Sequence, residues 1–477
     1  MRRKGRRKKE EGRRGTFPLV SFLFLFSYSL LPFSLSACGH SKKEEAGGGK
    51  KGDKPDLLPG VDFGSGNTTV FKSKEPTAPI SFTVAWKTGG LRAEKGKVET
   101  GHLLGVTGEL YSNGAKSSSY RADRGDAVRV DKRLTLTGDV VLKSSDGMKS
   151  LKAPQAEYHG DLGYVRAMGG VTAEGPFGTL SGVSELWATP DLSLIGTPDM
   201  VSQILHIPAL LALASQAPQG SPFLQGRDFK LEDAKSGLAQ GIKGTKDLRV
   251  TLNPKPGIPI KVTLVSENTV FKSAGKVIVL IDGKTEEVKS LTSEGTAEIV
   301  QIKPGKKVTM TGTGVDYGIK TGAATGDLEL GGRVTIISVS DAKDSAGKTI
   351  TRTVVAKGDK ATAVLYSKPD DGGDPIKSAT LINHVTIDVT GTSGHFTGVG
   401  DKIVYTPNGT GARAVMTGKL SFGGDSPSYL GQIQGADTAT INLSKDGWED
   451  VFLEDTGGGK IHGSAGQKDP PKSGGPR

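Results

Sequence analysis

The strongest structural signal in the chain is Leu134-Thr-Leu-Thr-Gly-Asp-Val-Val-Leu142, in which apolar residues alternate with others around a central glycine. Side chains alternate between the two faces of a β-strand, so this spacing predicts a strand with one apolar face and one mostly polar face. Gly138 removes a side chain from the apolar face, which permits a bend, a bulge or the close approach of another group. We expect such a strand to curve around an apolar interior.

The same pattern recurs along the chain, which predicts similar strands stacked into a long curved sheet. A separate match, between residues 69–73 and 269–273, suggests that the chain contains two related β blocks. The further copies of the strand pattern are Val165-Arg-Ala-Met-Gly-Gly-Val-Thr-Ala173, Leu328-Glu-Leu-Gly-Gly-Arg-Val-Thr-Ile336, Ala379-Thr-Leu-Ile-Asn-His-Val-Thr-Ile387 and Ala414-Val-Met-Thr-Gly-Lys-Leu-Ser-Phe422.

Composition indicates the same fold class. Glycine makes up 69 of 477 residues, about twice its usual share of ~7%, and short Val, Ile, Thr and Leu runs are broken by Asp-Gly and Asn-Gly pairs. This punctuation is typical of many short strands, and we predict an all-β fold with one short helix. The predicted segments are a signal peptide at 1–37, a flexible tether at 38–60, a first β block at 61–198, a helical or irregular connector at 199–245, a second β block at 246–456 and a disordered tail at 457–477.

The predicted helix lies in the connector, at residues 199–215, and it is the only convincing helical stretch in the sequence. Pro208 is expected to kink this helix or to begin a second piece. We expect the helix to pack against the sheet. Contact with a membrane or with a partner is the alternative.

The N-terminus carries the features of a secretory signal. Basic residues crowd positions 2–9, an apolar run follows from about 17 to 32, and the segment ends in Leu35-Ser-Ala-Cys38. This ending resembles the lipobox of bacterial lipoproteins, which implies cleavage before Cys38 and a diacylglyceryl group on its thiol. A transmembrane helix is the alternative, since residues 16–37 are long enough to cross a bilayer. We predict a cell-envelope lipoprotein that faces the periplasm, with the choice of inner or outer membrane left open.

Charge and cysteine content agree with export. The formal net charge is +11, but residues 1–37 hold nine Lys or Arg and two Glu, so about +4 remains for the other 440 residues. The basic balance therefore reflects the targeting segment, and we predict no nucleic-acid partner. Cys38 is the only cysteine of the chain, so its lipidation would leave no thiol for a disulfide.

The order of motifs between residues 134 and 188 resembles that of a known family. The first strand is followed by Leu151-Lys-Ala-Pro-Gln-Ala-Glu-Tyr158, then by Ala-Met-Gly-Gly-Val-Thr-Ala-Glu-Gly, Gly-Thr-Leu-Ser-Gly and Leu-Trp-Ala. This succession is similar to the periplasmic lipopolysaccharide-transport proteins of the LptA/LptC (OstA-like) family. The resemblance is clearest over residues 105–197, with weaker copies over 295–455. It implies tandem β-jellyrolls, or β-tacos, whose apolar interior shields the acyl chains of a glycolipid.

The resemblance makes lipopolysaccharide or a related glycolipid the expected ligand. Acyl chains in water cost roughly 0.8 kcal/mol per CH₂, and a lined groove removes that cost. An ordinary closed core is the alternative for each lining residue. The candidate groove residues are Leu134, Leu136, Val140, Leu142, Tyr158, Ala167, Val171, Leu180, Leu186, Leu328, Leu330, Val334, Ile336, Val385, Met416, Leu420 and Phe422.

The family also implies partners, with two departures. Other lipopolysaccharide-transport jellyroll proteins are expected to bind by pairing of strand edges, and the membrane is expected to be reached through the lipid anchor. Members of the LptC type usually hold the inner membrane by an uncleaved helix, whereas this chain is expected to use lipid on Cys38. Members typically have one jellyroll, whereas two are expected here.

The sequence offers no candidate for catalysis, and we expect no metal or cofactor. The seven histidines are scattered, without a His-x-x-x-His or Cys/His pair, and no Gly-x-Ser-x-Gly elbow is present. We therefore expect a protein that is not an enzyme. Two alternatives to glycolipid transport stay open. One is a structural or adhesive envelope lipoprotein with a closed core, and the other is a β-helix enzyme acting on polysaccharide.

Overall fold

The computed structural model describes residues 62–72, 77–94, 97–128, 131–205, 223–265, 268–319, 325–343, 349–366, 376–391, 394–407, 411–425, 430–444, 447–454 and 462–466. The chain is nearly all β, with 79% strand and 3% helix, which confirms the predicted all-β, jellyroll-like fold. Residues 57–477 form one compact unit. All described strands belong to one antiparallel sheet.

The first part of the sheet has ten strands. They are β1 Asp62–Phe63, β2 Gly66–Phe71, β3 Ile80–Trp86, β4 Thr88–Glu94, β5 Lys97–Ser112, β6 Ala115–Val128, β7 Arg133–Ser144, β8 Ser150–His159, β9 Tyr164–Gly175 and β10 Gly178–Ala188. Shorter elements follow: β11 Leu194–Gly196, α1 Pro198–Leu205, β12 Phe223–Gln225, β13 Phe229–Glu232, β14 Ala234–Gly241, β15 Leu248–Pro254, β16 Ile260–Leu264, β17 Thr269–Ser273 and β18 Val277–Ile281.

The last part of the sheet has eleven described strands, seven of them with 14 or more residues. They are β19 Val288–Lys303, β20 Lys306–Ile319, β21 Thr325–Lys343, β22 Thr349–Gly358, β23 Lys360–Tyr366, β24 Ile376–Gly391, β25 Gly394–Pro407, β26 Gly411–Asp425, β27 Leu430–Ser444, β28 Gly447–Glu454 and β29 His462–Gly466.

Each long strand contributes to two walls of the sheet. The first half of β5 pairs with β4, and its second half pairs with β3. The strands that follow keep this division. Wall 1 consists of β1, β4 and the halves of the long strands that continue their ladder. Wall 2 consists of β2, β3 and the other halves of the long strands. Every pairing among the described strands is antiparallel, which differs from the parallel coils of a β-helix. A pairing between two long strands runs through both walls, and each pair of opposed residues in it lies within one wall.

Short strands continue both walls between β10 and β19. Wall 1 runs through β11, β14, β15 and β18. Wall 2 runs through β12, β13, β16 and β17. The predicted connector therefore contains β12, β13 and β14 in addition to the helix. The sheet is continuous from the first predicted block into the second.

The long strands pass from one wall to the other at a kink. In β7 the kink is Gly138-Asp139, where φ is 76° and 39° and the pairing register shifts. Gly332-Arg333 and Asn383-His384 have the same left-handed conformation at the matching positions of β21 and β24. Glycine adopts this conformation without steric cost, and asparagine tolerates it better than most residues. The bend that the mid-strand glycine was expected to permit is confirmed.

One apolar cluster fills the space between the walls. Long strands supply buried residues from both of their halves, such as Leu134 on wall 1 and Val140 on wall 2 of β7, and both are 0% exposed. The cluster extends from Val70 in β2 to Ile441 in β27. The alternation in the sequence therefore predicted the interior face on both sides of the kink.

Aromatic side chains meet across the interior. The rings of Phe82, on wall 2, and Tyr158, on wall 1, lie edge to face with centroids 5.9 Å apart. Phe271, on wall 2, and Tyr317, on wall 1, lie 5.6 Å apart. Three strands lie between Phe82 and Tyr158 along the sheet, and one lies between Phe271 and Tyr317. Because each pair joins residues of different walls, the contacts show that the two walls face each other.

Helix α1 packs on the outer face of wall 1. Its Val201 is buried with Tyr164, Trp187 and Leu238 in a second apolar cluster that is separate from the interior. This confirms the expected packing against the sheet. Residues 206–215 of the predicted helix lie outside the described residues.

The match between residues 69–73 and 269–273 does not align equivalent positions. In β2, Val70 is buried and Phe71 is exposed, whereas in β17 Phe271 is buried. The two copies therefore lie in their strands in opposite phase, because a difference of one residue in phase moves each side chain to the opposite face.

The kink can be tested with two glycines of similar backbone conformation. A methyl group at Gly138 would lie 2.4 Å from Asp123 Oδ2, whereas one at Gly147, in a hairpin turn with φ of 70°, would meet nothing within 4 Å. Gly147→Ala is expected to lower the free energy of unfolding by about 1–2 kcal/mol from the left-handed backbone alone. Gly138→Ala is expected to lower it by more. Equal losses in urea unfolding would contradict the close packing at the kink.

Candidate functional site

The seventeen candidate groove residues all belong to the interior between the walls. Sixteen are buried in the single apolar cluster, and Ile336 is partly buried against it. They come from strands between β7 and β26, which span both predicted blocks. The structure thus brings the two sets of candidates together in one continuous interior.

The interior becomes more polar near the outer ends of the wall-2 strands. Ser118 lies two residues from the buried Tyr120 and therefore shares its inward face, and it is 0% exposed. Its Oγ has no hydrogen-bond partner among the described residues. Thr269 and Gln301, which oppose each other on β17 and β19, are also buried on this face. A buried hydroxyl without a partner is costly, so Ser118 marks a position suited to a polar group of a ligand.

The walls are held together differently on their two sides. On one side the kinked backbone joins them. On the other, Ser81 of wall 2 contacts the end of wall 1, where its Oγ lies 3.4 Å from the hydroxyl of Tyr158. A methyl group at Gly160 would lie 2.4 Å from the same Oγ. At this point side chains join the two walls, and the described strands form no backbone ladder from one wall to the other.

The terminal strands leave open edges at both ends of the sheet. Among the described residues, β1 pairs only with β4 and β2 only with β3. At the other end, β28 and β29 each pair only with β27. These edges have backbone groups available for another strand, which is the geometry that the predicted partner pairing requires.

A polar cluster on the outer face of wall 1 was not predicted. The guanidinium of Arg166 donates to both carboxylate oxygens of Glu185, at 2.7 and 3.2 Å, and the indole of Trp187 donates to Glu185 Oε1 at 2.7 Å. Glu185 is buried. The hydrogen bond to Glu185 raises the pKa of Arg166, although burial opposes this shift. These bonds compensate the burial of the carboxylate beside the second apolar cluster.

Glu157 and His159 extend this outer cluster along β8. His159 Nε2 lies 3.6 Å from Glu157 Oε2, and the imidazole stacks on the ring of Tyr164 at 4.9 Å. The hydrogen bond with His159 lowers the pKa of Glu157, with Arg166 adding to the effect and burial opposing it. Burial raises the pKa of Tyr164 to about 12. Because Trp187 alternates with the interior residue Leu186, its outward position was readable from the strand pattern. The sequence did not indicate that the predicted helix would cover Trp187.

The remaining sequence expectations fall outside these strands. Cys38 and the whole predicted signal lie outside the described residues. In the part of the chain that is described, no helix is long and apolar enough to cross a membrane. No group of three or more His, Cys, Asp or Glu there is placed to hold a metal ion. No known protein-family model matches the chain, and no curated protein matches it significantly.

The depressed pKa of Glu157 predicts an acid-sensitive contribution to stability. A carboxylate whose pKa is lowered on folding stabilises the protein above its unfolded-state pKa, and this contribution disappears as the pH falls through the folded-state pKa. Glu157→Gln is therefore expected to lower the free energy of unfolding near neutral pH, and the difference from wild type should shrink below pH about 4. Urea unfolding at several pH values measures this difference.

Asp388→Asn provides the control. Asp388 is paired with His395 on the surface, where an ion pair contributes little. This variant is expected to lower the free energy of unfolding only slightly at every pH. If the loss caused by Glu157→Gln were independent of pH, the account of Glu157 would be wrong.

Proposed function

We propose that the chain is a lipid-anchored periplasmic lipoprotein that binds lipopolysaccharide or a similar glycolipid between its walls and helps to transfer it to the outer membrane. The observation that carries this proposal is the single apolar interior that runs from β2 to β27. Acyl chains would replace contacts between the inner faces. Each CH₂ that is removed from water in this way stabilises the complex by roughly 0.8 kcal/mol. No covalent chemistry is required of the protein.

The closure between the walls supports entry of a lipid from the side. The contact between Ser81 and Tyr158 is made by side chains, and each pair of opposed residues in the described ladders lies within one wall. Separation of the walls at this contact would therefore leave both ladders intact. The kinked strands would keep the walls joined during opening.

The polar positions near the outer ends of wall 2 support a ligand with a polar end. The unpartnered hydroxyl of Ser118 and the buried Gln301 lie at that side of the apolar interior. A glycolipid could place its acyl chains deeper and its polar groups here. The open edges of β1, β2, β28 and β29 support pairing with other lipopolysaccharide-transport jellyrolls.

A structural or adhesive envelope lipoprotein is the second candidate function. The observation that favours it is the closeness of the inner faces, with Leu134, Val140 and Met416 fully buried against other side chains. A closed core of this kind would hold no lipid. Bound glycolipid in the purified chain separates the two functions, since only the transport function requires it.

Native mass spectrometry of the full-length chain, purified from an envelope-containing host, tests the cargo. We expect bound glycolipid in the wild type and none in Val140→Asp, because the new carboxylate would lie in the apolar interior. Val399→Asp is the matched control, since Val399 is 48% exposed and its substitution should leave the cargo bound. Ala167→Leu, which narrows the interior without adding charge, should reduce the bound fraction. A wild type without glycolipid would favour the closed-core function.

A disulfide across the side-chain closure tests the route of entry. Ser81→Cys and Gly160→Cys place two thiols where the present contact is close. Oxidation should stop exchange of the glycolipid with added labelled glycolipid, and reduction should restore it. Either single variant serves as control. Unchanged exchange after complete oxidation would exclude entry between these two residues.

The anchor is tested by substitution of its thiol. Cys38→Ala is expected to abolish incorporation of a radiolabelled fatty acid and to move the chain from the detergent phase to the aqueous phase in Triton X-114 partitioning, because two or three acyl chains anchor firmly. Retention of the label in Cys38→Ala would show that another site is modified. Absence of label in the wild type would contradict lipidation.

A further inference from the structure

Exposed apolar side chains recur along the outer ends of the wall-2 strands. We call the connections between successive wall-2 strands, with the strand ends beside them, the wall-2 rim. Phe71 and Met148 are 47% and 48% exposed, and Val265 and Ile302 are 57% and 55% exposed. Phe71 and Ile302 lie at the ends of β2 and β19, Met148 lies in the turn between β7 and β8, and Val265 directly follows β16, so the four residues are spread along the rim. They point to contact with an extended apolar surface.

The charges of the two rims differ in sign. The described connections between wall-2 strands hold three basic residues, Lys72, Lys149 and Arg227, and two acidic ones. The corresponding described connections of wall 1 hold four basic and seven acidic residues. The net charge of these connections is therefore −3 on wall 1 and +1 on wall 2. Two further lysines, Lys306 and Lys307, open β20 close to Ile302.

Apolar and basic residues are also neighbours in sequence on the wall-2 rim. Phe71 precedes Lys72, and Met148 precedes Lys149. An apolar side chain that enters the interface between headgroups and acyl chains, beside a lysine that contacts anionic headgroups, is the combination that interfacial membrane proteins use. The acidic wall-1 rim would be repelled by the same surface.

We propose that the wall-2 rim binds the surface of an anionic lipid bilayer. Met148, Val265 and Ile302 enter the interface, and the neighbouring lysines contact the headgroups. This places the closure between Ser81 and Tyr158 beside the membrane, because Ser81 lies next to the wall-2 rim. The contact concerns the outside of the rim and does not depend on what the interior holds.

Fluorescent labels on introduced cysteines test this contact in the full-length chain, reconstituted by its own anchor into vesicles of phosphatidylcholine and phosphatidylglycerol. The test positions are Met148→Cys and Ile302→Cys. Their labels are expected to shift to shorter emission wavelengths and to be quenched by nitroxide-labelled lipid. Leu162→Cys on the wall-1 rim and Ile258→Cys near the kinks are matched controls, because these residues are 49% and 46% exposed. The wild-type chain, treated with the same label, shows how much label reacts with Cys38.

The controls should show neither the shift nor the quenching. Quenching at Met148 and Ile302 should fall in vesicles of phosphatidylcholine alone and at high salt, since salt screens the lysines. Labels at Met148 and Ile302 that are quenched no more than those at Leu162 and Ile258 would overturn the proposal. Quenching that is unchanged in neutral vesicles would overturn the role of the lysines. Removal of cargo by Val140→Asp should leave the quenching at Ile302 intact, so this result and the test of cargo are independent.

Discussion

The structure depends on one constraint, which is that a single β-strand must serve two facing walls. A strand can do so only if its backbone turns sharply without losing its pairing on either side. The left-handed residues at Gly138-Asp139 and at the matching positions of β21 and β24 make this turn, and the ladder resumes beyond each kink. Because the kink preserves the alternation of faces, both halves of the strand direct apolar side chains to the same interior.

The walls follow from this constraint, and so does the asymmetry between their two sides. The kinked backbone joins them on one side, whereas the contact of Ser81 with Tyr158 closes the other. Backbone ladders would cost several hydrogen bonds to open, while a side-chain contact of this kind contributes only about 0.5–1.5 kcal/mol. A lipid could therefore enter without disrupting the sheet. The buried Ser118 hydroxyl and the basic wall-2 rim lie at the side where its polar groups would emerge.

The sequence predicted the interior better than it predicted the arrangement around it. Alternation over two residues is a local property, and it identified Leu134, Val140 and Met416 as interior residues. The left-handed conformation of Asp139 and Arg333 was missed, because neither residue type requires it. The repeated peptide lies in opposite phase in its two strands, so Phe71 is exposed whereas Phe271 is buried. Contacts between walls, such as Phe82 with Tyr158, depend on how the whole sheet folds, and no local pattern contains that information.

Photo-crosslinking in intact cells can detect a glycolipid held between the walls. A benzophenone amino acid would replace Leu136 on β7, Met416 on β26 and the exposed Val399 on β25. The account predicts that the two interior positions capture the same glycolipid, because they line one continuous interior, and that Val399 captures none. Capture of no lipid from either interior position would contradict lipid binding between the walls, and a closed core would then describe the protein.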